Sequence, residues 1–200
     1  MIVTGYEAAG RVSLTNNEFD GKTSWSATCN GQHYWSMLFL GSADKITMAD
    51  NYLHNLSGRA PKVGGSGDVT LHAVNNLFSD MDGHSFDVRA GASTWVEGNV
   101  FENVKLPFTS ETSTSGGMLY NAAGADCQTS AVARSCVANS VSGSGAFPTF
   151  GTTQVFAKFS GASVFKAAPV SGVKASVLAN AGIGKLSSMR KRGRAGRLNY

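Results

Sequence analysis

The sequence predicts an all-β fold, a right-handed single-stranded parallel β-helix followed by a loop-rich C-terminal segment. Charged residues make up 15% of the 200 residues and glycine occurs 24 times, a composition typical of a compact, turn-rich β protein. An asparagine followed within two residues by a large apolar side chain recurs at intervals of 34, 25 and 23 residues. Repeats of this length, made of short strands and polar turns, indicate a solenoid whose coils stack on one another.

Each repeat has a short alternating strand, a bend and a second short strand. Alternation with period 2 predicts a strand whose apolar side faces the core. Asparagine suits the bend because it tolerates a left-handed backbone and its amide can bond to the next asparagine in a stack. These asparagines are Asn17, Asn51, Asn76 and Asn99. The longer first interval needs an additional element, and residues 34–40 are apolar enough to form a strand there.

The regular period fades after residue 104, so we divide the chain into coils over 1–104, a loop-rich segment over 105–184 and a basic tail over 185–200. The loop-rich segment is expected to pack on the outside of the coils and cover their end. Within it, residues 109–117 are rich in serine, threonine and glycine and predict a loop, and residues 173–181 predict a short helix.

The net charge of +4 comes from the tail, which holds six of the 17 basic residues. Residues 1–184 carry 11 basic and 13 acidic side chains. A basic run can bind nucleic acid, but this one has no aromatic residue before Tyr200 and is more typical of a solvated tail. We therefore expect no nucleic-acid partner, and a basic-tailed nucleic-acid binder is the alternative.

Membrane and cysteine patterns add two expectations. The chain has no apolar run of about 18 residues and no signal-peptide pattern, so no membrane partner is expected.

Cys127 and Cys136 are separated by a short stretch of small residues that can close into a disulfide, which leaves Cys29 unpaired.

Four segments together resemble the second half of the pectin lyases. They are residues 11–17, 26–35, 55–63 with the sequence NLSGRAPKV, and 96–104. The resemblance covers residues 8–184 with its spacing kept. It implies a fragment of a secreted, extracellular enzyme whose signal peptide and first half, with part of the cleft, are absent from this chain. It also implies that Cys29 matches a cysteine whose partner is far upstream.

The resemblance assigns chemistry to Arg59 and Lys62. Two basic residues in a loop are ordinarily solvated charges, but Arg-x-Pro-Lys after a Ser-Gly turn is where this family has its proton-abstracting arginine. The implied reaction is β-elimination in methyl-esterified homogalacturonan, giving 4,5-unsaturated oligosaccharides. Because arginine has a pKa above about 12, burial and neighbouring cations such as Lys62 must favour a reactive neutral fraction. A straight strand sends Arg59 and Lys62 to opposite faces, so we predict a bend and expect Gly58 to provide it.

Aromatic residues complete the expected substrate surface. A neutral methylated sugar chain binds through apolar contacts and aromatic faces, and Tyr34, Trp35 and Trp25 are the candidates. The alternative for each is an ordinary place in the core.

No cofactor and no metal are expected, because deprotonation beside a neutral ester calls for no calcium bridge. Asp80, Asp82, His84 and Asp87 offer a weaker calcium interpretation, since Asp82-Gly83 indicates a turn between strands first. A calcium-dependent pectate lyase and a non-catalytic carbohydrate-binding β-helix remain alternatives. The expected partner is pectin, and the full-length enzyme is expected to be a monomer.

Overall fold

A computed structural model describes residues 1–7, 10–121, 132 and 134–185 of the chain. The strands of the described residues are β1 (Ile2–Val3), β2 (Arg11–Thr15), β3 (Glu18–Asp20), β4 (Met37–Phe39), β5 (Lys45–Ala49), β6 (Tyr52–His54), β7 (Lys62–Val63), β8 (Val69–Val74), β9 (Leu77–Val88), β10 (Ala92–Glu97), β11 (Val100–Phe108), β12 (Met118–Asn121) and β13 (Ser140–Ser142). Within the same described residues, an α-helix, α1, spans Val173–Asn180. The 3-10 helices span Ser110–Ser113, Thr153–Phe159 and Val170–Gly172.

The strands stack in parallel along three faces. The first face has the order β2, β5, β8, β10, β12. The second has β3, β6, β9, β11, β13, and the third has β1, β4, β7 and the later residues of β9 and β11. Successive passages of the chain thus lie beside one another in register, and the expected parallel β-helix is confirmed.

The recurring asparagines form a continuous hydrogen-bonded ladder between the first and second faces. Asn17 donates to the side-chain oxygen of Asn51 at 3.1 Å, and Asn51 donates to that of Asn76 at 2.9 Å. Asn76 donates to Asn99 at 2.9 Å, and Asn99 donates to Asn139 at 3.1 Å. The stacking predicted for the first four asparagines is therefore confirmed, and the ladder continues to Asn139.

The left-handed backbone at this bend belongs to the residue before each of the first four ladder asparagines. Asn16, Asp50 and Asn75 have φ values of 55°, 55° and 53°, and Gly98 has 60°. The expectation that the ladder asparagines themselves take this conformation is wrong. Two positions therefore form the bend. The residue with the left-handed φ turns the chain, and the asparagine after it makes the hydrogen bond that joins neighbouring coils.

Aromatic side chains stack inside the coils. The rings of Phe78 and Phe101 lie 4.8 Å apart with an interplanar angle of 4°, and Phe86 stacks on Phe108 at 5.5 Å. Both pairs join residues in register on β9 and β11. The coil repeat therefore places like side chains above one another, and their burial drives the stacking.

The later part of the chain packs on the outside of the coils. Residues Val173 and Val177 of α1 cluster with Leu77 and Val100, and Trp95 on the first face contacts Phe156 of a 3-10 helix. The helix predicted at 173–181 and the strand predicted within 34–40 are confirmed as α1 and β4. The segment 109–117 contains a short 3-10 helix instead of loop alone.

The boundaries at 104 and 184 stay predictions, and residues 186–200 of the basic tail lie outside the described residues. Among the helices that are described, none has the length and apolar character needed to cross a membrane.

A buried ionic cluster also lies on the outer side of the first face. The Glu97 carboxylate is fully buried and accepts hydrogen bonds from Arg134 and from the Val137 N–H, and it pairs with His72 Nε2 at 2.8 Å. Burial opposes the charge on Glu97, but the bonds from His72 and Arg134 outweigh it and hold the pKa of Glu97 below its ordinary value.

Candidate active site

Arg59 lies between β6 and β7, where the left-handed backbone of Arg59 itself bends the chain. It has a left-handed φ of 49°, and the peptide bond between Ala60 and Pro61 is cis. A non-glycine residue in this region is uncommon and is kept there by surrounding contacts. The expectation that Gly58 provides the bend is wrong, because the left-handed residue is Arg59.

Backbone hydrogen bonds hold Arg59 from both neighbouring coils. Its carbonyl accepts the N–H of Met37 on β4 at 2.7 Å. Its N–H donates to the Nε2 atom of His84 at 2.9 Å, and the next N–H, of Ala60, donates to the Ser85 carbonyl at 3.0 Å. The residue that the sequence nominated for catalysis is therefore held by the coil before it and the coil after it.

Gly58 leaves room for two rings beside the bend. A Cβ atom at this position would lie 2.7 Å from Cε2 of Tyr34 and 3.0 Å from Cε1 of His84. The two rings meet edge to face, with centroids 5.6 Å apart. Ser36, which is buried, donates to the Gly58 carbonyl at 3.0 Å. Gly58 is thus required for space, since these side chains pack directly against its backbone.

The Arg59 guanidinium lies over an aromatic face. Its Cζ atom is 5.6 Å from the centroid of the Tyr34 ring, within the range of a cation–π contact. The Tyr34 ring also meets Trp35 edge to face at 5.6 Å. The structure therefore brings three predicted site residues, Arg59, Tyr34 and Trp35, into one group.

Trp25 stands apart from this aromatic group. It is 90% exposed in the segment closed by the antiparallel bridge of Lys22 with Gln32. Among the described residues, none of the ring contacts involves Trp25. Trp35 is 55% exposed, and Tyr34 is half-buried, so neither tryptophan has the ordinary core position considered as the alternative.

Lys62 lies beside a buried carboxylate. It pairs in register with Asp87 on β9, and its Nζ atom is 4.0 Å from Asp87 Oδ2. Asp87 also accepts two bonds from Arg89 and one from the Thr109 hydroxyl at 3.3 Å. The buried charge of Asp87 is thus compensated by two cations and a hydroxyl.

His84 lies among charged side chains of the site. Burial lowers the pKa of His84 below its ordinary value; the charges of Arg59 and Arg89 act in the same direction, and those of Asp87 and Glu111 oppose it. A neutral ring can accept a hydrogen bond at Nε2, as the contact with the Arg59 N–H requires. Sequence reasoning named His84 only in the calcium interpretation and missed its contact with Arg59, although its distance of 25 residues from Arg59 equals the Asn51-to-Asn76 interval.

Three of the four residues of the calcium interpretation have separate partners. Asp80 accepts a bond from Asn103, His84 accepts one from Arg59, and Asp87 pairs with Arg89. Asp82 is exposed. In the part of the chain that the structure describes, no group of three or more histidine, cysteine, aspartate or glutamate residues is arranged to hold a metal ion. The turn predicted at Asp82-Gly83 is wrong, since both residues lie within β9.

Of the predicted cysteine arrangement, the described residues test one part. Cys29 is free and exposed, as the sequence predicts. Cys127 lies outside the described residues, so its disulfide with Cys136 stays a prediction.

Sequence comparison identifies the family to which this parallel β-helix belongs. The pattern of the pectate lyase family matches residues 7–186. The chain therefore belongs to the pectate lyase family.

The curated relatives carry a more specific name. The chain is 45% identical over 188 residues to probable pectin lyase F of Aspergillus flavus, covering 94% of this chain and 44% of the relative. It is 45% identical over 199 residues to probable pectin lyase E of Aspergillus fumigatus, covering 92% and 50%. A solved pectate lyase bound to hexasaccharide has a TM-score of 0.45 and 16% identity, covering 90% of this chain and 44% of that one. The chain thus spans about half the length of the curated relatives it matches.

Proposed function

We propose that this chain supplies the Arg59 half of a pectin lyase, which cleaves methyl-esterified homogalacturonan by β-elimination into 4,5-unsaturated oligosaccharides. The observation that carries the proposal is the Arg59 bend, where the backbone is held from two coils and the guanidinium lies over the Tyr34 ring. A solvated loop arginine needs no such arrangement. The relatives named pectin lyase support the same activity.

Arg59 is proposed as the proton acceptor. It removes the proton α to the methyl ester, and the electron pair forms the double bond as the 4-linked sugar oxygen leaves. The residue is half-buried with its backbone fixed, which suits a group that must meet one particular hydrogen atom of the substrate.

Lys62 is proposed to stabilise the negative charge that develops on the ester oxygen. A donor placed at a developing oxyanion is worth about 3 kcal/mol. Its separation of 4.0 Å from Asp87 Oδ2 exceeds a direct hydrogen bond. Since Asp87 is held by Arg89 and Thr109 as well, the Lys62 ammonium keeps donors for a substrate oxygen.

Tyr34 and Trp35 are proposed as the sugar-binding surface next to Arg59, and Trp25 as a more distant part of it. Their support is the exposure of the two tryptophans and the contact of Tyr34 with both Arg59 and Trp35. Exposed aromatic faces beside a polar group are typical of carbohydrate sites.

Extracellular action is part of the proposal, because the substrate is a cell-wall polymer. The full-length protein is proposed to be secreted, to act as a monomer on pectin and to need no cofactor.

The test uses an extended protein, in which this chain is joined to the first part of pectin lyase F of Aspergillus flavus. Arg59→Lys is expected to reduce the turnover rate by about 100-fold or more with little change in KM, because the charge stays and the guanidinium is lost. Lys62→Ala is expected to reduce it less. The measurement is the ultraviolet absorbance of unsaturated product on highly methylated pectin, with Arg11→Lys on the outer side of β2 as the matched control.

Each alternative gives a different result in this assay. A calcium-dependent pectate lyase loses activity with a chelator and prefers unesterified polygalacturonate. A carbohydrate-binding β-helix binds pectin without forming unsaturated product. Near-parental product formation by Arg59→Lys would overturn the role given to Arg59.

A further inference from the structure

His84 replaces a backbone acceptor at the Arg59 bend. In a regular strand, successive N–H groups point in opposite directions. Here the N–H groups of Arg59 and Ala60 both donate toward β9, the first to the His84 ring and the second to the Ser85 carbonyl. The left-handed φ of Arg59 turns its N–H to that side, and an imidazole nitrogen receives it.

We propose that His84 is a positioning residue for the elimination reaction: its neutral ring accepts the Arg59 N–H and fixes the direction in which the Arg59 side chain leaves the bend. The inference rests on the proposed function, since it matters for catalysis only if Arg59 touches the substrate.

The ring itself has a defined position. It meets Tyr34 edge to face at 5.6 Å and lies close to the space that Gly58 leaves open. It is in register with Leu106 on β11. The Arg59 guanidinium in turn lies over the Tyr34 ring. His84 therefore supports Arg59 in two ways: it accepts the Arg59 backbone N–H, and it packs against the Tyr34 ring that the guanidinium covers.

The role requires one protonation state. Nε2 accepts a hydrogen bond only when it carries no proton, so the neutral ring holds its proton on Nδ1. The charged groups that act on the ring are Arg59, Arg89, Asp87 and Glu111, and the hydroxyl-bearing ring of Tyr34 packs against it. Burial and the two arginines favour the neutral ring, and the two carboxylates oppose them. An imidazolium at this place would direct an N–H at the Arg59 N–H and break the contact.

The test compares three variants of the extended protein. His84→Leu removes the acceptor, whereas His84→Gln offers a side-chain oxygen near the position of Nε2 and does not titrate. We expect His84→Leu to lower kcat by about 10- to 100-fold with KM within about twofold, and His84→Gln to retain kcat within about threefold. His54→Gln, on β6, changes the same residue type outside the site and is expected to leave kcat unchanged.

The pH profile distinguishes positioning from packing. We expect kcat of the parent to fall on the acid side as His84 is protonated, and this fall to be absent from His84→Gln. A folded His84→Leu protein with parental kcat would overturn the inference, as would an acid limb that His84→Gln shares with the parent.

A measurement without turnover separates this inference from the proposed function. Nitrogen NMR of ¹⁵N-histidine-labelled protein at neutral pH is expected to show an unprotonated Nε2 at His84, and a protonated Nε2 would overturn the inference. If Arg59→Lys is fully active, the proposed function fails, while the nitrogen shifts still decide whether His84 holds the Arg59 N–H.

Discussion

Replacing Asn76, in the middle of the asparagine ladder, with alanine tests how strongly the ladder holds the coils together. Asn76 is fully buried. Its oxygen accepts the N–H and the side-chain amide of Asn51 at 3.0 and 2.9 Å, and its nitrogen donates to the Met48 carbonyl at 2.8 Å and to Asn99 at 2.9 Å. Asn76→Ala removes all four bonds. At about 1 kcal/mol of net stability for each, the expected loss is about 4 kcal/mol.

That loss is a large share of the roughly 5–15 kcal/mol by which domains are usually stable. Urea unfolding of the extended protein, followed by far-ultraviolet circular dichroism, measures it. Asn180→Ala in the last turn of α1 is the matched control, because the hydrogen bonds described for its side chain go to Ser176 in the preceding turn, and a change within about 0.5 kcal/mol is expected. A loss below about 1 kcal/mol for Asn76→Ala, with an unchanged denaturant slope, would refute the reasoning.

Two further predictions concern the bend and acid pH. Gly58→Ala is expected to destabilise the protein by about 1–3 kcal/mol and to lower turnover, because the new methyl group would displace the Tyr34 and His84 rings. Gly172→Ala, where a Cβ meets nothing within 4 Å, is the control in both assays. Parental turnover of Gly58→Ala would contradict the prediction. The lowered pKa values of His72 and His84, caused first by burial, mean that the unfolded chain binds protons more readily just below about pH 6.5. The free energy of unfolding is therefore expected to be constant above that pH and to fall as the pH drops toward the lowered values; unfolding curves that show no fall between pH 6.5 and 5 would contradict this.

The coil repeat was predictable because each of the first four ladder asparagines is followed closely by a large side chain. Phe19, Leu53, Phe78 and Phe101 all occupy the same place in register on the second face. Asn139 was missed because Ser140 and Val141 follow it, 40 residues after Asn99. Its partners come from the geometry of the stack, which fixes the ladder even where the chain between coils lengthens.

The sequence predicted which residues form the candidate site, but not how the backbone and side chains are arranged around them. The sequence named Arg59 and Lys62 and required a bend, but it placed the bend on Gly58, since glycine most readily turns a chain. The structure places it on Arg59, with the packing of Tyr34 and His84 using the space at Gly58. That choice depends on side chains from two other coils, which no local pattern contains.

The extra length of the first coil separates the proposed sugar-binding surface from the scaffold. Asn17 and Asn51 are 34 residues apart and Asn51 and Asn76 only 25, yet the ladder bonds that join them have nearly equal lengths. The surplus residues emerge between β3 and β4 and include Trp25, Tyr34 and Trp35. This loop between β3 and β4 can vary in length and composition while the pairing register of the stacked strands stays unchanged. The proposed sugar-binding surface can therefore diversify through one loop, while the buried core stays the same.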